Sequence, residues 1–242
     1  LDPKVSGVQP ILLGEGTKLS IALTKADKEY VCLMETHQLV PTKRLLEVFS
    51  EFTGDIYQIP PLKSAVQRRL RIRRIHYINL IEHEERYVLF RVGCEAGTYI
   101  RKLCYDIGEA LGFGAHMREL RRIRSGTFTE NSLVTLQTLQ DAYMSYEEGD
   151  EKPLRRIVRP MEEALSHLPS VYVLDSAVDA LCHGAPLAAP GVVSLDASIK
   201  KGDLVGVFTL KGEVVMLGTA EMDAERMYEA ESGIVVKPKR VV

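Results

Sequence analysis

Two charged residues have types and positions suited to chemistry. Asp2 stands directly before Pro3 in the opening LDPKVSG, and Arg101 closes the segment GTYIR. A carboxylate can act as nucleophile or general base, although Asp-Pro is also a common turn or helix-start pair. Thr98 is predicted to cap a helix, which places Arg101 in a first turn where the helix dipole disfavours a cation. We therefore expect Arg101 to face an anion, either a phosphate or a carboxylate such as Asp2. The plain alternative is that it points into solvent.

Two arginine clusters follow. QRRLRIRRIHY holds five Arg in eleven residues, and RELRRIRSG holds four in nine. Alternation in the first cluster predicts a strand with guanidinium groups on one side and apolar side chains on the other: Arg69, Arg71 and Arg73 against Leu70 and Ile72. Residues 60–124 carry fourteen Lys and Arg against seven Asp and Glu, whereas the whole chain has a net charge of −2. A basic face on an acidic body is typical of a nucleic-acid binder, and a merely solvated face is the ordinary alternative.

Two tyrosines complete the candidate site. Tyr30 lies in a predicted strand and Tyr99 in GTYIR. Such rings are usually part of a core with the hydroxyl at its edge, or they can stack on a base taken out of its helix. The four cysteines include no Cys-x-x-Cys pair and no neighbouring His at ligand spacing, so we predict free thiols, no disulfide framework and no metal site.

The predicted elements that position these residues indicate an α+β fold. KEYVCLMETH (28–37) has strand alternation, 41–54 has apolar residues at helical spacing, and TYIRKLCYDIGEALGFG predicts a helix ending before Gly112. From residue 169, short strands between polar Gly turns predict a small β-barrel. We therefore predict two domains, 1–168 and 169–242. No apolar run reaches membrane-span length and no signal-peptide pattern is present, which predicts a soluble, intracellular protein without membrane contact.

Taken together, five stretches resemble the dyskerin/TruB family of RNA pseudouridine synthases, specifically its archaeal and eukaryotic guide-RNA branch. They follow the family's order along nearly the whole chain: LDPKVSGVQPILLGEGTKL, KEYVCLMETH, IPPLKSAVQRRLRIRRIHY, CEAGTYIRKLCYDIGEALGFGAHMRELRRIRSGTF and DSAVDALCHGAPLAAPGV with GIVVKPKRVV. The resemblance implies a mixed or antiparallel-sheet catalytic domain at 1–168, followed by a β-barrel PUA domain at 169–242 that binds RNA. The family also has several dozen residues before Leu-Asp-Pro that are absent here. We expect a piece of a longer chain, or a cleaved one, that is inactive by itself.

The resemblance also implies roles for single residues. Asp2 would be the catalytic carboxylate and Arg101 its partner, while Tyr30 would pack against the target base. Tyr99 and Leu120 would line the same pocket. The basic residues expected to contact RNA are Arg68, Arg69, Arg71, Arg73, Arg121, Arg122, Lys237, Lys239 and Arg240.

The implied activity is isomerisation of specific uridines to pseudouridine in rRNA, with tRNA as a further substrate class, and it needs neither a metal nor an organic cofactor. The implied partners are H/ACA guide RNA, substrate RNA and the small protein subunits of H/ACA ribonucleoproteins. The absence of long Lys-rich tails favours an archaeal-type, cytoplasmic protein over a nucleolar eukaryotic one. Two alternatives stay open: a guide-independent tRNA pseudouridine synthase and a non-catalytic RNA-binding scaffold.

Overall fold

A computed structural model describes residues 5–60, 67 and 69–242, and it contains both strands and helices. The strands are β1 (Ser6–Gly7), β2 (Lys28–Thr36), β3 (Gly54–Gln58), β4 (Arg71–Glu84), β5 (Tyr87–Cys94), β6 (Ala115–Ser125), β7 (Phe128–Thr129), β8 (Ser170–Val173), β9 (Leu187–Ala188), β10 (Val192–Leu195), β11 (Leu204–Thr209), β12 (Val214–Ala220) and β13 (Ile234–Val241). The mixture confirms the predicted α+β class.

The helices are α1 (Ser20–Lys25), α2 (Thr42–Glu51), α3 (Ile100–Leu111), α4 (Leu136–Glu147), α5 (Lys152–Ile157), α6 (Asp175–Cys182) and α7 (Ala224–Glu229). Short 3₁₀ helices lie at Gly14–Leu19, Glu130–Ser132, Met161–Leu165 and Ala189–Gly191. The helices that the structure describes are all too short or too polar to span a lipid bilayer.

The chain forms two compact units. One contains the described part of residues 1–10 with Lys25–Leu133, and the other contains Ile11–Thr24 with Val134–Val242. Residues 134–168 therefore group with the C-terminal part of the chain. These units differ from a simple division after residue 168, because Leu19 and Leu165 share a core cluster with Phe208 and Leu217.

The described residues of the first unit build a seven-stranded sheet in the order β1-β6-β2-β5-β4-β3, with β7 beside β6. β1 is parallel to β6, and the other pairs are antiparallel. In β2, Cys32 and Met34 point into the core as the alternation predicts. The same core takes the buried stripes of α2 and α3, and the Phe49 and Phe90 rings meet edge to face at 5.2 Å between centroids.

α3 carries a buried stripe formed by Leu103, Cys104 and Ile107. It ends at Gly112, whose φ of 90° is the left-handed conformation that a glycine adopts most readily at a helix end. The predicted helix and its stop are thus confirmed. Its start differs from the prediction, since Tyr99 occupies the N-cap position and Thr98 donates its hydroxyl to the Glu95 carbonyl at 2.7 Å.

The second unit contains a six-stranded sheet in the order β10-β8-β11-β12-β13-β9. β8 and β11 are parallel, and the remaining described pairs are antiparallel. Val171, Val207, Met216 and Val236 are among the buried residues of its core, and α6 and α7 add Leu181 and Met227. The short strands predicted after residue 169 are therefore present.

Candidate active site

Tyr30 and Leu120 lie on one face of the first sheet. Tyr30 stands opposite Val92 on one side and Arg122 on the other, while Leu120 stands opposite Cys32, two residues further along β2. Both side chains are partly buried against the core. Because residues two apart on a strand share a face, Tyr30, Cys32 and Leu120 form a contiguous surface.

The start of α3 borders the same core. Ile100 is buried in that cluster, and the Cys32 and Cys104 sulfurs lie 3.5 Å apart, which places α3 directly on β2. Tyr99 is half-buried, and Arg101, the second helical residue, is exposed. The fold therefore places four predicted site residues on three elements: Tyr30 on β2, Leu120 on β6, and Tyr99 and Arg101 at the start of α3.

Asp2 and Arg68 lie outside the described residues. The first described strand after Asp2 is β1, which begins four residues further on at Ser6. It pairs with β6 in the register Ser6 to Arg121 and Gly7 to Arg122. Gly7 has a φ of 105°, and a β-carbon there would lie 2.1 Å from the Arg122 carbonyl oxygen. The segment after Leu-Asp-Pro is thus attached to the strand that carries Leu120.

Arg122 holds this segment with its side chain. Its Nε donates to the Val8 carbonyl at 2.7 Å, and its Nη2 donates to the Gln9 amide oxygen at 2.7 Å. The residue is only 8% exposed. A guanidinium so buried and so occupied is not presented to RNA, which favours a structural role for Arg122 over the phosphate contact that the sequence suggested.

Glu29, one residue before Tyr30, faces the opposite side of β2. It is buried and accepts hydrogen bonds from Arg91, through Nε at 3.1 Å and through Nη2, and from Arg124 Nε at 3.1 Å. Burial alone would raise the pKa of this carboxyl, but hydrogen bonds from Arg91, Tyr77 and Arg124 outweigh it and lower that pKa. This network joins β2 to β5 and β6 on the sheet face opposite Tyr30.

Lys28 is also buried on β2. Burial is the main cause that lowers the pKa of its ammonium group, and the nearby Arg122 charge lowers it further. Its Nζ donates to the Ala26 carbonyl. β2 therefore carries two buried charged residues, Lys28 and Glu29, directly before Tyr30 in the sequence.

The structure shows which side of the first arginine cluster faces outward, a point that the sequence prediction left open. Arg69 is exposed, but Arg71 and Arg73 are only partly so, and Leu70 and Ile72 are 62% and 53% exposed. Arg71 Nη2 donates to the Gln67 carbonyl at 3.3 Å, and Arg73 pairs with Glu95 at 3.5 Å. Within β4, Ile72 and Arg74 therefore point outward, whereas Arg71 and Arg73 have the same parity as the buried Ile75.

The remaining basic residues lie at two places. Arg121 is exposed on β6 and pairs with Glu130. Lys237 pairs with Glu221 at 2.9 Å, while Lys239 and Arg240 are exposed on β13. The latter two border a surface hollow of about 420 Å³ together with Lys18, Gly184, Pro238 and Val241. These residues form a basic patch on the second unit.

Sequence reasoning missed Gln58 in addition to the Glu29 network. Gln58 ends β3, is buried, and pairs its side-chain amide with the backbone of Tyr99. The alternation of β3 could have revealed it, because Gln58 lies two residues after the buried Ile56 and so shares its inward face. Among the described residues, no group of three or more His, Cys, Asp or Glu is placed to hold a metal ion.

Comparison with known families accounts for this arrangement. Residues 1–100 match the TruB family pseudouridylate synthase N-terminal domain, 101–166 match the tRNA pseudouridylate synthase B C-terminal domain, and 169–242 match the PUA domain. The chain belongs to the TruB family of pseudouridine synthases. It is thus an RNA-modifying isomerase with a PUA domain, and the sequence-based family prediction is confirmed.

Curated relatives agree with this family. This TruB-family chain is 57% identical to the probable tRNA pseudouridine synthase B of Methanosarcina barkeri, over all of this chain and 72% of that protein. It is 56% identical to the protein of the same name from Methanopyrus kandleri, again over all of this chain and 72% of that protein.

Solved structures match over the full chain as well. A Cbf5-Nop10-Gar1 complex gives a TM-score of 0.96 at 53% identity, and an H/ACA RNP bound to a substrate RNA containing 2′-deoxyuridine gives 0.91 at 51%. The archaeal box H/ACA sRNP Nop10-Cbf5 complex gives 0.90 at 49% identity. Each match covers all of this chain and 74% of the other. The synthase fold therefore extends through both units.

Proposed function

We propose that this synthase is the catalytic subunit of an H/ACA ribonucleoprotein and converts uridines that a guide RNA selects, in rRNA and in tRNA. The observation that carries the proposal is the likeness to the chain of an H/ACA RNP bound to substrate RNA, with a TM-score of 0.91 at 51% identity. The implied partners are guide RNA, substrate RNA and small H/ACA proteins. Residues 1–168 would form the catalytic part and 169–242 the PUA part.

The proposed chemistry is an isomerisation that balances without a cofactor. The N1–C1′ bond of uridine breaks, the freed base turns, C5 bonds to C1′, the C5 proton is released, and N1 takes up a proton. Asp2 would supply the carboxylate, either as nucleophile or as proton acceptor at the sugar. A guanidinium near a carboxylate favours its ionised form and fixes its orientation, which is the role proposed for Arg101.

The aromatic side chains would receive the target base. A uridine must leave its stack before C1′ and C5 become accessible, and a flipped base needs a ring or apolar surface to pack on. Tyr30 and Leu120 share the sheet face beside α3, and Tyr99 precedes that helix. This placement supports a pocket lined by Tyr30, Tyr99 and Leu120.

Guide dependence is tested with purified full-length protein, the small H/ACA proteins and RNA labelled with tritium at uridine C5. Release of tritium from a guided rRNA target should require the matching guide RNA, and a guide with two mismatched bases should abolish it. Conversion of the guided target at the same rate without guide RNA would contradict the proposal.

The names of the curated relatives favour a second candidate, a guide-independent tRNA pseudouridine synthase. Unmodified tRNA incubated with the protein alone separates the two. The guided hypothesis expects slower conversion without guide RNA, whereas the second candidate expects full conversion. Family membership favours either enzyme over a non-catalytic scaffold.

The proposal includes a cytoplasmic location in an archaeal-type cell. Its support is the likeness to an archaeal box H/ACA sRNP Nop10-Cbf5 complex at 49% identity. Fractionation of cells carrying a tagged copy would test it.

A further inference from the structure

Gln58 makes an unusual connection between distant parts of the first unit. It is the last residue of β3 and is 2% exposed. Its Oε1 accepts the Tyr99 backbone N–H at 3.0 Å, and its Nε2 donates to the Tyr99 carbonyl at 3.2 Å. Both ends of one buried side-chain amide therefore bind the backbone of a single residue, 41 positions along the chain.

Tyr99 is the point at which α3 begins. It occupies the N-cap position without a side-chain cap, and its carbonyl also accepts the first helical hydrogen bond, from Leu103 N–H at 3.0 Å. The orientation of that peptide group determines where the first turn of the helix points. Arg101 lies in that turn, two residues after Tyr99, so a change at Tyr99 is transmitted to it.

Few side chains could replace this amide. A pair of bonds to one N–H and one C=O needs a donor and an acceptor side by side, which glutamine has and ionised glutamate lacks. A methionine has a similar length and forms neither bond. With methionine at position 58, the Tyr99 N–H loses its Gln58 acceptor, while the Tyr99 carbonyl keeps the bond from Leu103 N–H. An unpaired backbone N–H beside a buried side chain is unfavourable, so the peptide group between Thr98 and Tyr99 would turn to find another acceptor.

Gln58 also pairs with the neighbouring strand β4. Residues 59–70 follow it directly, and Arg71 stands opposite it on β4. One buried amide thus connects the β3–β4 pair to the start of the helix that carries Arg101.

We propose that Gln58 is a positioning residue for the uridine isomerisation, acting through Tyr99 and Arg101 on the substrate pocket. The inference rests on the proposed function, because it assumes that Arg101 and Tyr99 border the reacting uridine. Gln58 itself touches the Tyr99 backbone and is not assigned any contact with substrate.

The test compares Gln58→Met and Gln58→Glu with Ile56→Val, a buried change on the same strand that leaves Tyr99 untouched. Single-turnover rates are measured at saturating guided RNA, together with the RNA dissociation constant and the unfolding temperature. A misplaced reacting group typically costs about 10²-fold in rate, so Gln58→Met should lose about 10- to 100-fold in rate with RNA affinity nearly unchanged. Gln58→Glu, which keeps the acceptor, should also be slow. Ile56→Val should keep the wild-type rate.

A double variant distinguishes positioning from general loosening. Residues acting through one contact are non-additive, so Gln58→Met combined with Arg101→Lys should be within about threefold of the slower single variant. Rate losses that multiply would overturn the inference, and so would a wild-type rate in folded Gln58→Met. If Gln58→Met does not fold, the same two comparisons on Gln58→Glu decide.

Failure of the proposed function looks different. It would appear as wild-type protein that converts no guided uridine. A wild-type rate in Arg101→Lys would remove only the role given to Arg101, and the rate of Gln58→Met would still test the placement of Tyr99.

Discussion

Gly7 and Arg122 approach so closely that Gly7 has no room for a side chain. A β-carbon on Gly7 would lie 2.1 Å from the Arg122 carbonyl oxygen, and Val8 N–H donates to that same oxygen at 2.8 Å. The contact attaches the chain just after Leu-Asp-Pro to β6. It makes the backbone of this segment sensitive to a single methyl group.

Gly7→Ala should therefore lower both stability and rate. Its positive φ contributes strain, and the clash with backbone adds to it, because a backbone atom cannot move aside as a flexible side chain can. The matched control is Gly54→Ala, since Gly54 has a φ of 114° and no atom within 4 Å of a β-carbon. Urea unfolding should show Gly7→Ala less stable than the control by about 1–3 kcal/mol. Equal stabilities would contradict the close contact.

Arg121 and Arg122 should behave differently although they are neighbours. Arg122→Met removes two hydrogen bonds from a buried guanidinium, and bonds to charged groups contribute about 1.5–3 kcal/mol each. We expect a clear loss of unfolding free energy with Arg122→Met. Arg121 is exposed, so Arg121→Met should change stability by no more than about 0.5 kcal/mol and instead weaken RNA binding. Urea unfolding and RNA titration of both variants check this, and the reverse pattern would refute it.

Stability at acid pH should depend on Glu29. Its pKa in the folded protein is lowered from the ordinary 4.5, because the hydrogen bonds from Arg91, Tyr77 and Arg124 outweigh the opposing effect of burial. A lowered folded-state pKa contributes stability above the unfolded value, and that stability is lost as the pH falls through the folded value. Glu29→Gln should thus be destabilised at pH 7 and should lose less stability than wild type when acidified below 4.5.

The matched control for this prediction is Glu119→Gln, an exposed change on β6. It should follow the wild-type pH dependence. Unfolding free energies at pH 7 and in the acid range are compared for the three proteins. An identical acid loss in Glu29→Gln and wild type would show that Glu29 does not contribute.

The basic patch on β13 should contribute to binding the 3′ end of the guide RNA. Lys239 and Arg240 are exposed beside the hollow, so replacing both with Ala should weaken guide-RNA binding and reduce the salt dependence of the affinity. The slope of log K against log salt should fall by about 1 for each phosphate that the variant no longer binds. Lys211→Ala, at an exposed turn, serves as control. An unchanged slope in the double variant would exclude the patch.

Local periodicity explains how much of the fold could be predicted. The alternation of β2 predicted that Cys32 and Met34 share a face, and the helical stripe of α3 with its Gly112 stop was recognisable, since both patterns depend on neighbours in sequence. In the first arginine cluster, alternation separated arginines from apolar residues, but it does not say which set faces the core. The structure turns Leu70 and Ile72 outward.

Long-range partners were not predictable from the sequence. Arg122 binds Val8 from 114 residues away, and no local pattern distinguishes it from the exposed Arg121. Thr98 is a residue type that often caps a helix, but its hydroxyl donates to the Glu95 carbonyl instead. The N-cap is therefore Tyr99, one residue after the predicted one. The placement of Tyr30 and Leu120 on one sheet face likewise depends on the order of the strands, which local sequence patterns leave open.

The most direct test of the central claim is tritium release from C5-labelled uridine in guided RNA by Asp2→Asn. The matched control is Asp141→Asn, an exposed carboxylate on α4. If Asp2 is the catalytic carboxylate, Asp2→Asn should bind guide and substrate RNA like wild type and release no tritium above background, while Asp141→Asn should keep the wild-type rate. Tritium release by Asp2→Asn at the wild-type rate would contradict the account.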